Sequence, residues 1–184
     1  MNERIRDYQP PDCDAVVALS LRAWAPVFAS MEEVVGPEIF IRLHGDWRQY
    51  QAKAVREVLA DDATHVWVAE AEQVLPGRTT AGPGGPAAGG PAAGGPGVAG
   101  FAAATVFDPQ RRLGEIVMLA VDPASQYRGL GTALTEFATG WLRDAGMRVA
   151  MIGTGGDPGH VPARRVYEKA DYTLIPMARY FKAL

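Results

Sequence analysis

The stretch GEIVMLAVDPASQYRGLGT, residues 114–132, decides the fold of this chain. Its first eight residues form an apolar run that is too short for a buried helix, so we interpret them as an interior strand. The pair Asp122 and Pro123 ends this strand in a turn. The glycine-rich part that follows opens a helix, and the apolar residues with helical spacing predict its buried face: Leu130, Leu134, Phe137 and Trp141.

A strand that leads through a glycine turn into the start of a helix forms a binding site for anions. The first backbone N–H groups of a helix have no partner within it, and the helix dipole favours negative charge there. Gly129 and Gly131 allow a bulky phosphate to approach the backbone, because no side chain stands in the way. The sequence therefore predicts that this turn binds a phosphate-bearing ligand.

Two common phosphate-binding motifs do not fit this turn. The GxxxxGK[ST] loop requires a lysine after its last glycine, whereas Thr132 follows Gly131 here. The dinucleotide fingerprint requires a third Gly or Ala where Leu134 stands. What matches is Gln126-x-x-Gly129-x-Gly131, which resembles the acetyl-coenzyme-A signature [RQ]-x-x-G-x-[GA] of the GNAT family of N-acetyltransferases.

Composition favours a single domain over residues 1–184. The net charge of -3 argues against nucleic acid as an obligate partner, because phosphate backbones are held by basic surfaces. No run of about 18 apolar residues is present, and the N-terminus lacks the apolar core of a signal peptide. We therefore expect a cytoplasmic protein that spans no membrane. Its single cysteine, Cys13, excludes an internal disulfide.

The order of predicted elements is β-α-α-β-β-β-α-β-α-β. This order predicts an α/β (α+β) fold with a single mixed, mostly antiparallel sheet flanked by helices. An edge strand begins at Ile5, and the first helix starts after Asp12 and is predicted to end at Pro26. The second helical region starts after Pro37, and a capping box at residues 46–49 restarts it. Residues 172–184 are predicted to form a closing strand or hairpin that is broken near Pro176.

A second change in composition occurs at residues 76–97, which are almost entirely Gly, Pro, Ala and Thr. Such a segment buries too little apolar area to offset its conformational entropy, so we predict that it is disordered. Apolar strands precede and follow it, which indicates a hairpin with an expanded connection rather than a linker between domains. Its closure costs only about a kcal/mol more than that of a short loop.

The resemblance to the GNAT family extends over nearly the whole chain outside residues 76–97. Residues 163–172, ARRVYEKADY, resemble the family pattern A-x-x-x-Y-E-K-x-G-[FY]. Asp171 replaces the usual glycine, and a positive φ at that position would strain it, although Asp tolerates this better than most residues. His160 stands where the family often has an asparagine near the pantetheine arm.

The resemblance implies roles for individual residues. Tyr167 corresponds to the family tyrosine near the thioester sulfur, so it is the predicted acid for the leaving thiolate; as an alternative it only packs in the core. Glu115 lies where histone-acetylating members carry a glutamate and is the predicted base, with water as the alternative. The residues predicted to bind the coenzyme are Leu119, Ala120, Val121, Gln126, Tyr127, Arg128, Gly129, Leu130, Gly131, Thr132, Ala133, His160 and Tyr167.

These roles predict an acetyl-coenzyme-A-dependent N-acetyltransferase that acts on a primary amine by direct attack in a ternary complex, with no metal. The alternative is a non-catalytic protein that senses acetyl-coenzyme A. The acceptor stays open among protein amines and small molecules, and a monomer and a homodimer are both compatible with the sequence. Two basic pairs, at residues 111–112 and 164–165, are either solvated surface or a contact for the coenzyme 3′-phosphate.

Overall fold

In the computed structural model, residues 4–70 and 97–184 are described, and they form one sheet with helices on both faces. The strands are β1 (Ile5–Asp7), β2 (Thr64–Glu70), β3 (Val98–Asp108), β4 (Leu113–Val121) and β5 (Val149–Ile152). The helices are α1 (Cys13–Val35), α2 (Pro37–His44), α3 (Trp47–Ala60), α4 (Leu130–Asp144) and α5 (Val161–Lys169). Short 3-10 turns occupy Pro10–Asp12, Pro123–Ser125 and Pro158–His160.

The sheet has the strand order β1-β2-β3-β4-β5. The first four strands pair antiparallel, and β5 pairs parallel with β4 after the crossover through α4. The predicted mixed, mostly antiparallel sheet, the edge strand at Ile5 and the hairpin of β2 with β3 are confirmed. The segment predicted to be a disordered insertion, 76–97, lies outside the described residues apart from Gly97.

Two apolar clusters hold the helices on the sheet. One lies between α4 and the sheet, where Gly114 lets Leu142 come so close that a Cβ at position 114 would lie 3.1 Å from Leu142 Cδ1. The other packs α1 and α3 on the opposite face. The prediction for α4 was wrong in part: Phe137 is 43% exposed, whereas Ala138 and Leu142 are buried. The buried stripe repeats every four residues from Leu130 to Leu142, so one face of the helix lies on the sheet.

Helix α1 continues through Pro26, so the predicted end of the first helix is wrong. Proline inside a helix removes one hydrogen bond, at a cost of about 3 kcal/mol. Burial on both sides offsets this cost: Leu19 precedes Pro26, and Phe28 follows it and stacks on Trp47 with 4.7 Å between ring centroids. The helix ends at Gly36, where φ is 81°.

The predicted restart of the second helical region is confirmed. Helix α2 ends at His44, and Asp46 caps α3 by accepting hydrogen bonds from the N–H groups of Arg48 (3.0 Å) and Gln49 (3.4 Å). Gly45, with φ at 58°, turns the chain between them. The short aspartate side chain satisfies N–H groups that have no helical partner, which is why the second helix begins here.

The predicted closing strand at residues 172–184 is wrong. Among the described residues α5 is the last regular element, and Leu174, Ile175 and Met177 are 61%, 77% and 87% exposed. Pro176 interrupts the short apolar run and cannot donate to a sheet ladder. The start of this segment is anchored through the Tyr172 hydroxyl, which lies 2.7 Å from Thr139 Oγ1.

One described stretch, Pro10–Val35, is long and apolar enough by composition to cross a membrane, with a mean hydropathy of 1.2 in its best window. In the fold this stretch packs against α3, β3 and β4. Val16 and Leu19 are buried in the cluster that α1 forms with α3 and the sheet. Phe28 is buried against Trp47 of α3.

Candidate functional site

Strand β4 contains a bulge at Val117. Ala104 pairs with Ile116 and Ala103 pairs with Met118, so Val117 is the extra residue. The bulge changes which residues of β4 face α4. Before it, the even-numbered positions Gly114 and Ile116 face α4; after it, the odd-numbered positions Leu119 and Val121 do. It also increases the local twist, which turns the end of β4 away from its neighbour.

Beyond the bulge, β4 is paired on one side only. Its register with β5 covers residues 113–116 and ends at Ile116 opposite Ile152, whereas its pairing with β3 continues to Val121. Backbone groups of residues 117–121 on the β5 side therefore have no strand partner within the described part of the chain. An extended ligand can pair there as a further strand would, as predicted for Leu119, Ala120 and Val121.

The turn after β4 is held by its own side chains. Asp122 Oδ1 accepts from the Ala124 N–H (2.9 Å), and its Oδ2 pairs with Arg22 of α1 (Nε at 3.0 Å). Gln126 Nε2 donates to the Val121 carbonyl oxygen (3.1 Å), so this predicted coenzyme contact fastens the turn to β4. Tyr127 has a φ of 62° and is 92% exposed.

The turn leads directly into the N-terminus of α4. Gly129 is its N-cap, with a φ of 90° that favours glycine, and the first helical hydrogen bond runs from Ala133 N–H to Gly129 oxygen (3.0 Å). The amides of Leu130, Gly131 and Thr132 therefore have no partner within the helix. With the helix dipole they form an anion site next to the open edge of β4.

Tyr167 lies on α5, which packs against α4. Burial raises the pKa of its phenol to about 12, and the neighbouring Tyr172, 6.4 Å away between ring centroids, adds to this effect. A phenol with that pKa stays protonated throughout the neutral range. It is therefore in the form that can donate a proton.

Glu115 lies in the paired part of β4, between Thr105 of β3 and Met151 of β5, and its side chain is half-buried. Because Gly114 and Ile116 face α4, Glu115 faces the layer of α1 and α3. Tyr167 belongs to the layer of α4 and α5. Glu115 and Tyr167 therefore lie on opposite faces of the sheet. They can act on the same substrate only through the gap between β4 and β5, which opens after Ile116 and Ile152.

His160 is held by a residue that sequence reasoning missed. Its Nδ1 hydrogen-bonds to Asp157 Oδ1, and the Gly159 N–H is shared between Asp157 Oδ2 (3.0 Å) and Ser30 Oγ of α1 (2.8 Å). Burial raises the pKa of Asp157, but the hydrogen bonds with Ser30 and His160 outweigh it, so that pKa lies below its usual value. The spacing Asp157-Pro158-Gly159 was the available signal, because aspartate two residues before a glycine often closes a turn.

Of the two basic pairs, the one on α5 is partly structural. Arg164 donates to the carbonyl oxygens of Gly155 and Asp157 (3.0 Å), which joins α5 to the preceding loop. Arg111 is exposed and lies 3.7 Å from Asp108. No cluster of three or more potential metal ligands is found among residues 4–70 and 97–184.

The sequence profile of the acetyltransferase (GNAT) family matches residues 37–172. The chain belongs to the GNAT acetyltransferase family. This GNAT chain is 44% identical over 72 residues to the mycothiol acetyltransferase of Sanguibacter keddieii, covering 37% of the chain and 22% of that protein. The Rhodococcus erythropolis mycothiol acetyltransferase is 37% identical over 65 residues, 35% of the chain and 20% of that protein. The chain thus spans about a fifth of the length of these curated relatives.

Solved structures share the fold of this GNAT chain. AAC(6')-Iy, solved with the bisubstrate analog CoA-S-monomethyl-acetylneamine, superposes with a TM-score of 0.59 at 14% identity, over 100% of this chain and 99% of that one. A GNAT-family structure from Desulfovibrio desulfuricans gives 0.56 at 21% identity, over 91% and 82%. At this identity the likeness concerns the fold alone.

The departure from the GNAT pattern at Asp171 has a visible consequence. Asp171 adopts a φ of 61°, the left-handed conformation that the family's glycine adopts without strain. The residue directly follows the end of α5, where the chain must turn so that Tyr172 can reach Thr139. The position does require a positive φ, which is the condition under which the sequence indicated strain at this aspartate.

Proposed function

We propose that this GNAT chain transfers the acetyl group of acetyl-coenzyme A to a primary amine by direct attack in a ternary complex. The observation that carries the proposal is the junction of two features at the turn 122–129. The open edge of β4 ends where the anion site of α4 begins. A ligand with an extended amide-bearing arm and a pyrophosphate requires these two features in this order.

In this arrangement the pantetheine arm pairs with Leu119, Ala120 and Val121, and the pyrophosphate lies on the amides of Arg128 to Thr132, since the Ala133 N–H donates to Gly129 oxygen. Gly129 has a φ of 90°, and no atom lies within 4 Å of the position that its Cβ would take, so the start of the helix is open there. A backbone N–H near residues 119–121 donates to the thioester oxygen as it becomes negative. Coenzyme A should therefore bind much more tightly than pantetheine, which lacks the phosphates.

The chemistry requires a neutral amine, yet an unperturbed alkylamine with a pKa near 10.4 is deprotonated only to about one part in 2,500 at pH 7. Glu115, directly or through water, accepts a proton from the amine. The C–N bond forms, the C–S bond breaks, and its electron pair leaves with sulfur. Tyr167 then protonates the thiolate, for which its protonated state is suited.

The test is an assay of thiol release with purified protein, acetyl-coenzyme A and a panel of primary amines: peptides with free N-termini, lysine peptides, polyamines, amino acids and aminosugars. Amine-dependent release with the N-acetyl product detected by mass spectrometry supports the proposal. Tight binding of coenzyme A with no release above background for any amine would instead support a sensor.

A further inference from the structure

The pair Asp157 and His160 is enclosed at the edge of the candidate site. The two side chains are 9% and 16% exposed, and Nδ1 of the imidazole is hydrogen-bonded to Oδ1 of the carboxylate. The pair lies in the loop between β5 and α5, so it follows the strand that separates from β4. It therefore borders the gap through which Glu115 and Tyr167 must act.

Two glycines allow the pair to pack this tightly. A Cβ at Gly155 would collide with both His160 Nδ1 and Asp157 Oδ1. A Cβ at Gly159 would lie 2.7 Å from Ser30 Cβ and 3.0 Å from the Cα of Val27, both on α1. Real Cβ atoms essentially never approach other atoms so closely. Glycine is therefore required at position 155, where the loop contacts the pair, and at position 159, where it contacts α1.

The hydrogen bond also defines which nitrogen of the imidazole is available. The carboxylate of Asp157 accepts the proton on Nδ1, so in the neutral ring the lone pair is on Nε2. No residue in the described ranges 4–70 and 97–184 forms a hydrogen bond with Nε2. The ring is thus oriented by one nitrogen and leaves the other able to accept a proton.

Helix α1 locates the pair relative to the end of β4. Arg22 contacts Asp122 at the end of β4, and Ser30 contacts Gly159 beside the pair. Eight residues at 1.5 Å per residue separate these two contacts by about 12 Å along the helix. The two contacts therefore fix how far the loop that carries His160 lies from the turn 122–129 along α1.

The proton balance of amide formation requires more than one acceptor. An ammonium group loses two protons from nitrogen before it becomes an amide, whereas sulfur gains only one. Glu115 accounts for one of the two protons. Resting on the proposed function, we propose that His160 is a second proton acceptor, with Nε2 taking a proton from the acceptor's ammonium, and that Asp157 is the positioning residue that orients it.

In this step an N–H bond breaks, its electron pair stays on nitrogen and then forms the C–N bond. The proton remains on His160 until it is released to solvent, which accounts for the net loss of one proton per acetyl transfer. The proton that Glu115 accepts returns to Tyr167 and replaces the one that Tyr167 gave to sulfur. The charged groups facing the ring are Asp157 on its own loop and Arg164 of α5, which binds the Asp157 carbonyl. Helix α1 contributes Val27 and Ser30, which do not titrate, and exposed Glu32 and Glu33 follow along that helix.

The test uses His160→Ala, Asp157→Asn and, as a matched control, His65→Ala, which removes a histidine that pairs with Asp7 between β1 and β2 and leaves the Asp157–His160 pair intact. With the best amine of the panel, kcat of His160→Ala should fall by about 10²-fold or more. Added imidazole should restore part of it in proportion to its free-base concentration. In Asp157→Asn kcat should also fall, but without rescue, because the ring still occupies the space. His65→Ala should stay within a few-fold of wild type.

The outcomes separate this proposal from the proposed function. If wild type releases no thiol with any amine, the proposed function fails and the second acceptor fails with it. If wild type is active and His160→Ala keeps its kcat and pH profile, only the role of His160 is wrong. If His160→Ala loses activity together with thermal stability or coenzyme A affinity, and imidazole restores nothing, the pair is structural and the proposal is overturned.

Discussion

Gly131 of α4 lies directly against Val166 of α5: a Cβ built on Gly131 would be 3.4 Å from Val166 Cγ2. This distance is ordinary van der Waals contact, so a methyl group fits there. Anything larger must extend toward the amides at the start of α4, where the pyrophosphate is proposed to lie.

Gly131→Glu is therefore expected to abolish coenzyme A binding, because a carboxylate occupies the anion site and repels phosphate. Gly131→Ala is the matched control and should bind within a few-fold of wild type. Calorimetric titration with coenzyme A measures both, and circular dichroism checks the fold. Wild-type affinity in the glutamate variant would show that the phosphates bind elsewhere.

Tyr167→Phe should lower kcat by about 10²–10⁴-fold while coenzyme A affinity survives, because only the hydroxyl is lost. Tyr180→Phe, a change at a 91% exposed position, is the control. Steady-state kinetics with one fixed amine provide the comparison. Full turnover in Tyr167→Phe would mean that the tyrosine only packs between helices and that the thiolate leaves without its help.

The same tyrosine makes stability sensitive to alkali. Burial raises its pKa from 10 to about 12, so between these values the unfolded chain loses a proton that the folded chain keeps. The contribution is complete below pH 10 and is lost as the pH rises toward 12, by about 2–3 kcal/mol in total. Urea denaturation at pH 9 and pH 11 should show a smaller loss for Tyr167→Phe than for wild type, and equal losses would contradict this.

Glu115→Gln should move the rising limb of the pH–rate profile to higher pH, because the amine must then lose its proton to solvent. Exposed Glu136 on α4 offers the control substitution Glu136→Gln, which should leave the profile where it is. The two profiles are measured with the same amine at saturating acetyl-coenzyme A. An unmoved limb in Glu115→Gln would assign the proton to another group or to water.

Asp171→Gly should stabilise the fold by about 0.5–1 kcal/mol, because glycine adopts the observed φ of 61° without strain. Asp171→Ala keeps the positive φ at a residue type that tolerates it less well than aspartate does, so it should destabilise. Chemical denaturation at neutral pH measures both. A loss of stability in the glycine variant would mean that the aspartate makes a contact worth more than the strain.

Local signals in the sequence were sufficient to predict β4, the turn after it and the start of α4, which form the proposed coenzyme site. A strand followed by Gln126-x-x-Gly129-x-Gly131 predicts a turn and a helix N-terminus, and both are present. The GNAT family resemblance supplied the roles of Tyr167 and Glu115, which no local pattern contains, and these roles remain predictions. The bulge at Val117 follows from β3–β4 register and is not encoded by a local motif.

Long-range contacts explain what the sequence did not reveal. The pairing of Arg22 with Asp122 joins residues 100 positions apart, and the contact of Ser30 with Gly159 joins residues 129 apart. Neither has a periodic or spacing signal. Pro26 was misread for the same reason, since the packing of Phe28 against α2 and α3 outweighs the local cost of proline.

Because α1 continues through Pro26 without a break, this helix sets a fixed distance between two loops. One end is tied to the turn after β4 through Arg22, and the other to the His160 loop through Ser30. Deleting a single residue between them would shorten the spacing by about 1.5 Å and rotate Ser30 by about 100° relative to Arg22. Only one of the two contacts could then form. A change of length in this part of α1 therefore uncouples the positions of the two loops, whereas substitution of an exposed side chain that makes neither contact does not.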